Sequence, residues 1–260
     1  MKAVITFFKS IAVAFSMYSR IPMPSFKWNT DDMKYQLIFF PWIGAIIGGA
    51  IYLWNYICGY YWIDTLPEIL FIVAIPILIT GGLHVDGFMD TCDALHSYQE
   101  RERKLEILKD PHIGAFSVIC LVTYMLILLS GLSLVVAAEH IEVLCFVPFI
   151  VRAFSGIAIQ SFKPARDDGM LKVAADNGNS KVVKPVLIIE LVIAVIAMCL
   201  VNPVYGIIVI LIQIAVFIYY RFMSYRQFGG VTGDLAGYYV TIAELAAVIT
   251  IAICSQIVFF

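Results

Sequence analysis

Long apolar stretches, separated by polar connections, dominate the chain. Because a transmembrane helix needs about 20 mostly apolar residues, seven stretches are candidates: roughly 36–60, 67–83, 113–138, 142–162, 183–201, 204–220 and 238–259. A backbone exposed to lipid has to satisfy its own hydrogen bonds, so each stretch is predicted to be a helix.

The first 34 residues follow a different pattern. Lys9 interrupts the apolar run "AVITFFKSIAVAFSMYSR" and Arg20 closes it, which indicates an interfacial or half-buried helix within segment 1–34. A cleaved signal peptide is the other interpretation of this segment. It requires a positive charge before the apolar run and a small-residue cleavage site after it, and "SRIPMP" supplies neither well.

The composition agrees with a membrane protein. The chain is 62% hydrophobic and 14% charged, so it has more apolar surface than one soluble core of 260 residues can bury. We therefore predict an all-α, polytopic integral membrane helix bundle, with about seven transmembrane helices and an N-terminal interfacial helix. Residues 1–260 are predicted to form a single integral membrane domain.

Lysine and arginine residues are concentrated in alternate connections. Sixteen of the seventeen basic residues fall on one side of the predicted spans, and Arg152 lies within a span. Because cytoplasmic connections carry the excess of positive charge, we expect the N-terminus and the functional loops 84–112 and 163–182 to be cytoplasmic and the C-terminus to lie outside. The expected location is the cell (inner) membrane, with the lipid bilayer as partner and no nucleic acid. The apolar surface is compatible with an oligomer but does not specify one.

Three aspartates follow the second predicted span in "GGLHVDGFMDTCDALHS" (81–97). Asp86, Asp90 and Asp93 stand at i, i+4 and i+7, so a helix places them on one stripe about 60° wide. Three like charges on one stripe repel one another unless a cation lies between them or a carboxylate stays protonated. The alternative is a solvated first helical turn with Asp86 as an N-cap-like residue. We favour metal binding.

Carboxylate oxygens suit magnesium, calcium or manganese, and magnesium commonly bridges one or two carboxylates to a substrate phosphate. His84 and His96 raise the alternative of zinc or iron. His84, however, falls on the opposite side of the helix from the aspartates. The pattern therefore predicts a magnesium site for phosphate chemistry, with manganese as a substitute and a cytoplasmic mouth as its position.

A second acidic segment, "GGVTGDLAGYYVTIAELAAVI" (229–249), repeats part of this pattern. Two glycines precede an aspartate at the same offset in Gly81-Gly82-x-x-x-Asp86 and Gly229-Gly230-x-x-x-Asp234. Such glycines let the backbone approach a phosphate or a neighbouring helix closely. Glu244 lies inside the last span, where a protonated helix-to-helix hydrogen bond and a catalytic role are both open.

Basic residues supply the complementary charge. Arg152, inside a span, needs an acidic or phosphate partner, and its guanidinium fork suits phosphate oxygens. Lys163, Arg166 and Lys172 lie in the loop "KPARDDGMLKVAADNGNSK". Each alone fits the positive-inside bias, but together with Arg152 they outline a cytoplasm-facing cavity suited to metal-bridged phosphates.

Five sequence strings carry a family resemblance: "SRIPMP", "GGLHVDGFMDTCDAL", "KDPHIGAFSV", "RDDGM" and "GGVTGDLAGYYVTIAEL". From about residue 15 to about residue 250, the chain resembles the adenosylcobinamide-GDP ribazoletransferases, also called cobalamin (5′-phosphate) synthases. The resemblance implies a magnesium-dependent membrane enzyme of late vitamin B12 assembly. Its implied substrates are adenosylcobinamide-GDP and α-ribazole or α-ribazole 5′-phosphate, and its products are adenosylcobalamin or its 5′-phosphate and GMP.

The resemblance also implies roles for the residues singled out above. Asp86, Asp90 and Asp93 become the leading metal ligands, and Asp234 becomes a further ligand or an orienting group. Asp93 and His84 are both open as the general base. The candidates for binding substrate phosphates are Arg152, Arg166 and Lys172.

Two alternatives belong to other classes. CDP-alcohol phosphotransferases also use aspartates at a membrane mouth with a divalent metal, but the acids of this chain fall at other intervals than in their motif. A cation or small-molecule transporter would use Glu190, Glu244 and Arg152 as intramembrane relay charges. The clustering of acids at one mouth favours the enzyme.

Overall fold

The structure is a computed structural model that describes residues 2–24, 27, 29–166 and 179–258. Its helices are α1 (Lys2–Tyr18), α2 (Phe40–Tyr61), α3 (Thr65–Thr80), α4 (Leu83–His96), α5 (Arg101–Ile107), α6 (Ala115–Ala137), α7 (Ile141–Leu144), α8 (Val147–Ser161), α9 (Ser180–Val201), α10 (Pro203–Phe228) and α11 (Gly233–Val258). Two short 3₁₀ helices, Thr30–Met33 and Gln36–Phe39, lead into α2.

Six helical segments are long and apolar enough to cross a membrane: Asp31–Tyr61, Ala115–Ala137, Ile141–Ser161, Ser180–Val201, Pro203–Phe228 and Gly233–Ile257. The bent pair of α3 and α4 provides a seventh candidate. The predicted fold class, an all-α bundle of a multi-pass membrane protein, is therefore confirmed.

The segment around the second predicted span differs from the prediction. α3 has 16 residues, which at 1.5 Å per residue is about 24 Å, less than the ~30 Å of a typical hydrocarbon core. It ends at Gly81, and α4 leaves at an angle of 93°. The predicted connection 84–112 contains two helices, α4 and α5, and the helix expected to carry Asp86, Asp90 and Asp93 is α4.

Backbone hydrogen bonds between the connections show which helix ends lie together. The backbone N–H of Arg20 donates to the carbonyl of Ile79 at the end of α3, over 2.7 Å. The backbone N–H of Asn179, before α9, donates to the carbonyl of Lys34, before α2. The backbone N–H of Val231, before α11, donates to the carbonyl of Lys163, after α8. These termini therefore meet at one end of the bundle, which we call the site end. If the bent pair of α3 and α4 is counted as one crossing, seven crossings leave the C-terminal end of α11 at the opposite end.

The N-terminal helix is joined to the connection that precedes α2. Lys9 forms a 3.3 Å ion pair with Asp32, and the Ser10 hydroxyl donates to the carbonyl of Asp32 over 2.6 Å. Phe8 on the other face is exposed. A helix in this segment is confirmed, while its location at the membrane interface stays a prediction.

The core of the bundle lies around α8 and α11. Ile150 and Val151 on α8 and Tyr239 on α11 are completely buried. By contrast, Ile193 on α9 and Leu211 on α10 expose more than half of their surface. An exposed apolar face of this kind suits lipid rather than water.

The packing of α2 against the α7–α8 region leads to a stability prediction. A Cβ atom on Gly48 would overlap the carbonyl oxygen of Cys145, whereas a Cβ atom on Gly49 would meet nothing within 4 Å. Gly48→Ala should therefore lower the free energy of unfolding by about 1–3 kcal/mol, and Gly49→Ala should not lower it. Thermal unfolding of the two detergent-solubilised variants checks this, and equal melting temperatures would contradict the close approach.

Candidate active site

Two glycine turns join helices at the site end of the bundle. Gly81 ends α3 with φ +69° and Gly82 precedes α4 with φ +82°, while Gly229 ends α10 with φ +73°. These values lie in the left-handed region that glycine adopts at little cost. A Cβ atom on Gly230 would overlap the carbonyl oxygen of Lys163. The two repeats in the sequence thus form two helix-to-helix turns, after which α4 and α11 begin.

These two acid-bearing helices approach each other backbone to backbone. α4 packs more extensively against α11 than any other described pair of helices does. A Cβ atom on Gly87 would lie 2.6 Å from the carbonyl oxygen of Asp234, and one on Gly237 would lie 3.0 Å from that of His84. The absence of side chains at these glycines brings Asp234 beside the acidic stripe of α4.

Asp86 and Asp90 are the two predicted ligands whose carboxylates have no hydrogen-bond or ion-pair partner among the described residues. Asp86 is exposed and Asp90 is partly buried. Asp90 is also subject to repulsion from the charges of Asp86, Asp234 and Asp93. A cation among these groups would relieve this repulsion.

Asp93 is bound to the neighbouring span. Its carboxylate accepts hydrogen bonds from the backbone N–H of Gly114 (2.7 Å) and of Ser117 (2.9 Å), and from the Ser117 hydroxyl. Gly114 is the residue before α6, so the carboxylate caps the N-terminus of that helix. The predicted roles of Asp93 as metal ligand or general base would compete with these hydrogen bonds.

Asp234 lies in the first turn of α11 and forms a 3.1 Å ion pair with Arg166. Arg166 follows a short backbone bridge in which Ala165 N–H donates to the Val231 carbonyl over 2.9 Å. The fold therefore brings together the predicted phosphate-binding Arg166 and the predicted ligand Asp234. Lys172, the third predicted phosphate-binding residue, lies outside the described residues.

Arg152, His84 and Glu244 form a separate group below these acids. Arg152 is completely buried, its Nη1 donates to Glu244 over 2.8 Å, and its Nη2 lies 3.4 Å from Nδ1 of His84. The Thr241 hydroxyl also donates to the His84 carbonyl. His84 contacts Arg152, which competes with its predicted role as base. His84 also lines the cavity that Asp86 and Asp234 border. Arg152 was predicted to bind phosphate, and Glu244 was predicted to form a protonated hydrogen bond or to act in catalysis. In the structure the two side chains form an ion pair with each other inside the bundle.

A cavity of about 320 Å³ opens beside the acids. Its lining includes Asp86, Asp234, Arg166, Lys109 and Tyr18. We call it the main cavity. It places two carboxylates and two basic side chains around a space suited to a charged ligand.

Several residues in this region were not singled out by the sequence analysis. Lys109 borders the main cavity, and Ser117 binds Asp93. Both lie in "KDPHIGAFSV", one of the five strings that carry the family resemblance, and this string could have identified them. In the same string, hydrogen bonds from the backbone and ring of His112 lower the pKa of Asp110.

The acids do not form a preorganised metal cage. No group of three or more His, Cys, Asp or Glu residues in the described part of the chain is arranged to hold a metal ion. Asp86 and Asp90 nevertheless offer two carboxylates one helical turn apart. Such a donor set fits magnesium, which usually takes one or two carboxylates and completes its shell with water and substrate phosphates.

Comparison with known proteins identifies relatives over nearly the whole chain. The family model of cobalamin-5-phosphate synthase matches residues 10–252. An adenosylcobinamide-GDP ribazoletransferase from Lachnoclostridium phytofermentans is 40% identical over 252 residues, which cover 96% of each chain. One from Clostridium perfringens (strain 13) is 32% identical over 249 residues, covering 95% of this chain and 98% of the relative. No solved structure matches the chain.

The structure is a membrane helix bundle with two glycine turns, an acidic pair and a charged cavity at one end. The family match extends over this structure from α1 into α11. By that match, the chain belongs to the cobalamin-5-phosphate synthase family.

Proposed function

We propose that this chain is an adenosylcobinamide-GDP ribazoletransferase that acts in late cobalamin synthesis. The observation that carries the proposal is that Asp86, Asp234 and Arg166 line one cavity, with Asp90 within electrostatic reach of both aspartates, in a chain that belongs to this family. The substrates are adenosylcobinamide-GDP and α-ribazole or its 5′-phosphate. The products are adenosylcobalamin or its 5′-phosphate and GMP.

The reaction exchanges one phosphorus–oxygen bond for another. A ribose hydroxyl of the acceptor attacks the phosphorus attached to the cobinamide side, and a new P–O bond forms. The bond between that phosphorus and the bridging oxygen breaks, and GMP leaves with the bridging oxygen and its electron pair. The hydroxyl proton passes to a carboxylate of the acidic group or to solvent. Such a reaction depends mainly on alignment and on charge neutralisation.

Asp86 and Asp90 are the residues that would hold magnesium, with manganese as a substitute. The bound ion would neutralise charge on the pyrophosphate and on the departing phosphate. In this proposal Arg166, which lines the main cavity, binds a pyrophosphate oxygen, and its ion pair with Asp234 supports an orienting role for that aspartate. Because this donor set is incomplete by itself, the proposal includes stronger metal binding in the presence of the nucleotide substrate.

The transporter alternative has less support from the contacts. The three proposed relay charges are divided between two sites, since Arg152 pairs with Glu244 while Glu190 accepts a 3.0 Å hydrogen bond from Trp42. A proton or ion relay needs charges that follow one another across the membrane.

We further propose that the site end faces the cytoplasm of a cell-membrane protein. The positive-inside bias and the joining of Arg20, Lys109 and Arg166 to this end support that orientation.

The first prediction from the proposed function concerns turnover. Membranes that contain the protein, supplied with adenosylcobinamide-GDP, α-ribazole 5′-phosphate and magnesium, should release GMP in step with cobamide formation. Excess chelator should abolish the release because the pyrophosphate charge is then not neutralised, and added magnesium should restore it. Membranes without the protein are the control, and chelator-resistant turnover would contradict the metal assignment.

The second prediction separates Asp90 from Asp93. Asp90→Asn should reduce turnover by roughly 10²–10³-fold, with no loss of thermal stability because like-charge repulsion decreases. Asp93→Asn retains a side-chain oxygen for the cap and should lose less than tenfold, with a stability loss of about 1 kcal/mol. Turnover and melting temperature are measured on the same preparations. An Asp93→Asn variant as inactive as Asp90→Asn would return Asp93 to the catalytic group.

The third prediction concerns orientation. An alkaline phosphatase reporter fused after Phe260 should be active, since this enzyme requires the oxidising exterior and seven crossings leave the C-terminus outside. The same reporter fused within the α4–α5 connection should be inactive. Activity with the opposite distribution would overturn the seven-crossing topology.

A further inference from the structure

A second cavity adjoins the main cavity at Asp86. It has a volume of about 580 Å³ and lies between the end of α1, the end of α3 and the first turns of α4. Asp86 and Leu83 border both cavities. The exposed carboxylate of Asp86 therefore stands between two spaces, and the proposed reaction has two substrates.

Arg20 is the basic residue of this second cavity. Its backbone N–H is fixed by the 2.7 Å hydrogen bond to the Ile79 carbonyl. Its side chain lies across Gly81: the Nε and Cγ atoms are 2.5 Å and 2.7 Å from the position that a Cβ atom on Gly81 would occupy. The bare backbone of Gly81 thus provides the space in which the arginine stem extends over the start of α4.

The guanidinium of Arg20 differs from those of Arg152 and Arg166. Arg152 is paired with Glu244 and Arg166 with Asp234. Within the described part of the chain, Arg20 has no carboxylate partner, and its side chain is exposed. A guanidinium fork at the wall of a cavity is well suited to a phosphate group, because it donates two parallel hydrogen bonds.

We propose that Arg20 binds the 5′-phosphate of the acceptor in the second cavity, and that it makes the enzyme prefer α-ribazole 5′-phosphate to α-ribazole. This inference rests on the proposed function. The main cavity, with Arg166 and the acids, takes the pyrophosphate of the donor. The acceptor lies across Asp86, with its phosphate at Arg20 and its ribose hydroxyl directed toward the donor.

The test compares two acceptors with one variant. The wild-type protein should show a higher kcat/KM for α-ribazole 5′-phosphate than for α-ribazole. In Arg20→Gln, the kcat/KM for the phosphorylated acceptor should fall roughly 10- to 100-fold, and that for α-ribazole should stay nearly constant. Turnover of α-ribazole also demonstrates that the variant is folded. Arg20→Lys, which keeps the charge but not the fork, should lie between the two.

A matched control removes a basic residue elsewhere. Arg103 on α5 is exposed and pairs with Glu106, so Arg103→Gln should change neither kcat/KM. An equal loss with both acceptors in Arg20→Gln would overturn the proposal and indicate a role toward the donor or the fold. The absence of any change in Arg20→Gln, or the absence of a preference in the wild-type protein, would overturn it as well.

Binding separates this inference from the proposed function. Each acceptor is titrated into detergent-solubilised wild-type protein and into Arg20→Gln, and the melting temperature is followed. Stabilisation of the wild type alone, and by the phosphorylated acceptor alone, supports the role of Arg20 whether or not turnover occurs. Equal stabilisation of both proteins, or of neither, overturns it. Failure of the wild-type protein to turn over either acceptor would contradict the proposed function itself.

Discussion

The backbone contact between α4 and α11 is the constraint on which the site depends. Gly87 faces the Asp234 carbonyl and Gly237 faces the His84 carbonyl, with no Cβ atom at either glycine to hold the helices apart. Helices in lipid gain little from the hydrophobic effect between them, so close packing of small residues is a main source of their attraction. This contact brings like-charged carboxylates together, and packing free energy therefore compensates for the repulsion.

The buried ion pair of Arg152 with Glu244 has a different role from the carboxylates of Asp86 and Asp90. Arg152 is completely buried, and removing one partner of such a pair leaves an unpaired charge that costs several kcal/mol. Through His84, which is on α4, and Glu244, which is on α11, the pair connects α8 with both acid-bearing helices. Because these side chains are buried and paired, the group holds α4, α8 and α11 in fixed positions beneath the site. The exposed Asp86 and the partly buried Asp90, which have no such partner among the described residues, are left to respond to a ligand.

The sequence predicted the features that depend on local chemistry. Apolar length located the spans, and the 3.6-residue period placed Asp86 and Asp90 on one face and His84 on the other. Features that depend on distant partners were not accessible in this way. The pairing of Arg152 with Glu244 joins residues 92 positions apart, and the capture of Asp93 by α6 depends on how that helix packs. The glycine repeat marked both turns, but the 93° bend after α3 is a tertiary feature.

The shortness of α3 has a consequence for the surrounding lipid. A helix of about 24 Å beside spans of 22 to 26 residues creates a hydrophobic mismatch, to which a bilayer responds by local thinning or by admitting headgroups and water. The end of α3 lies directly beside Gly81 and the first turn of α4, which carries Asp86. A bilayer that thins around the end of α3 would bring its headgroup level closer to the acids, and this would shorten the path of polar substrates to Asp86 and Asp90.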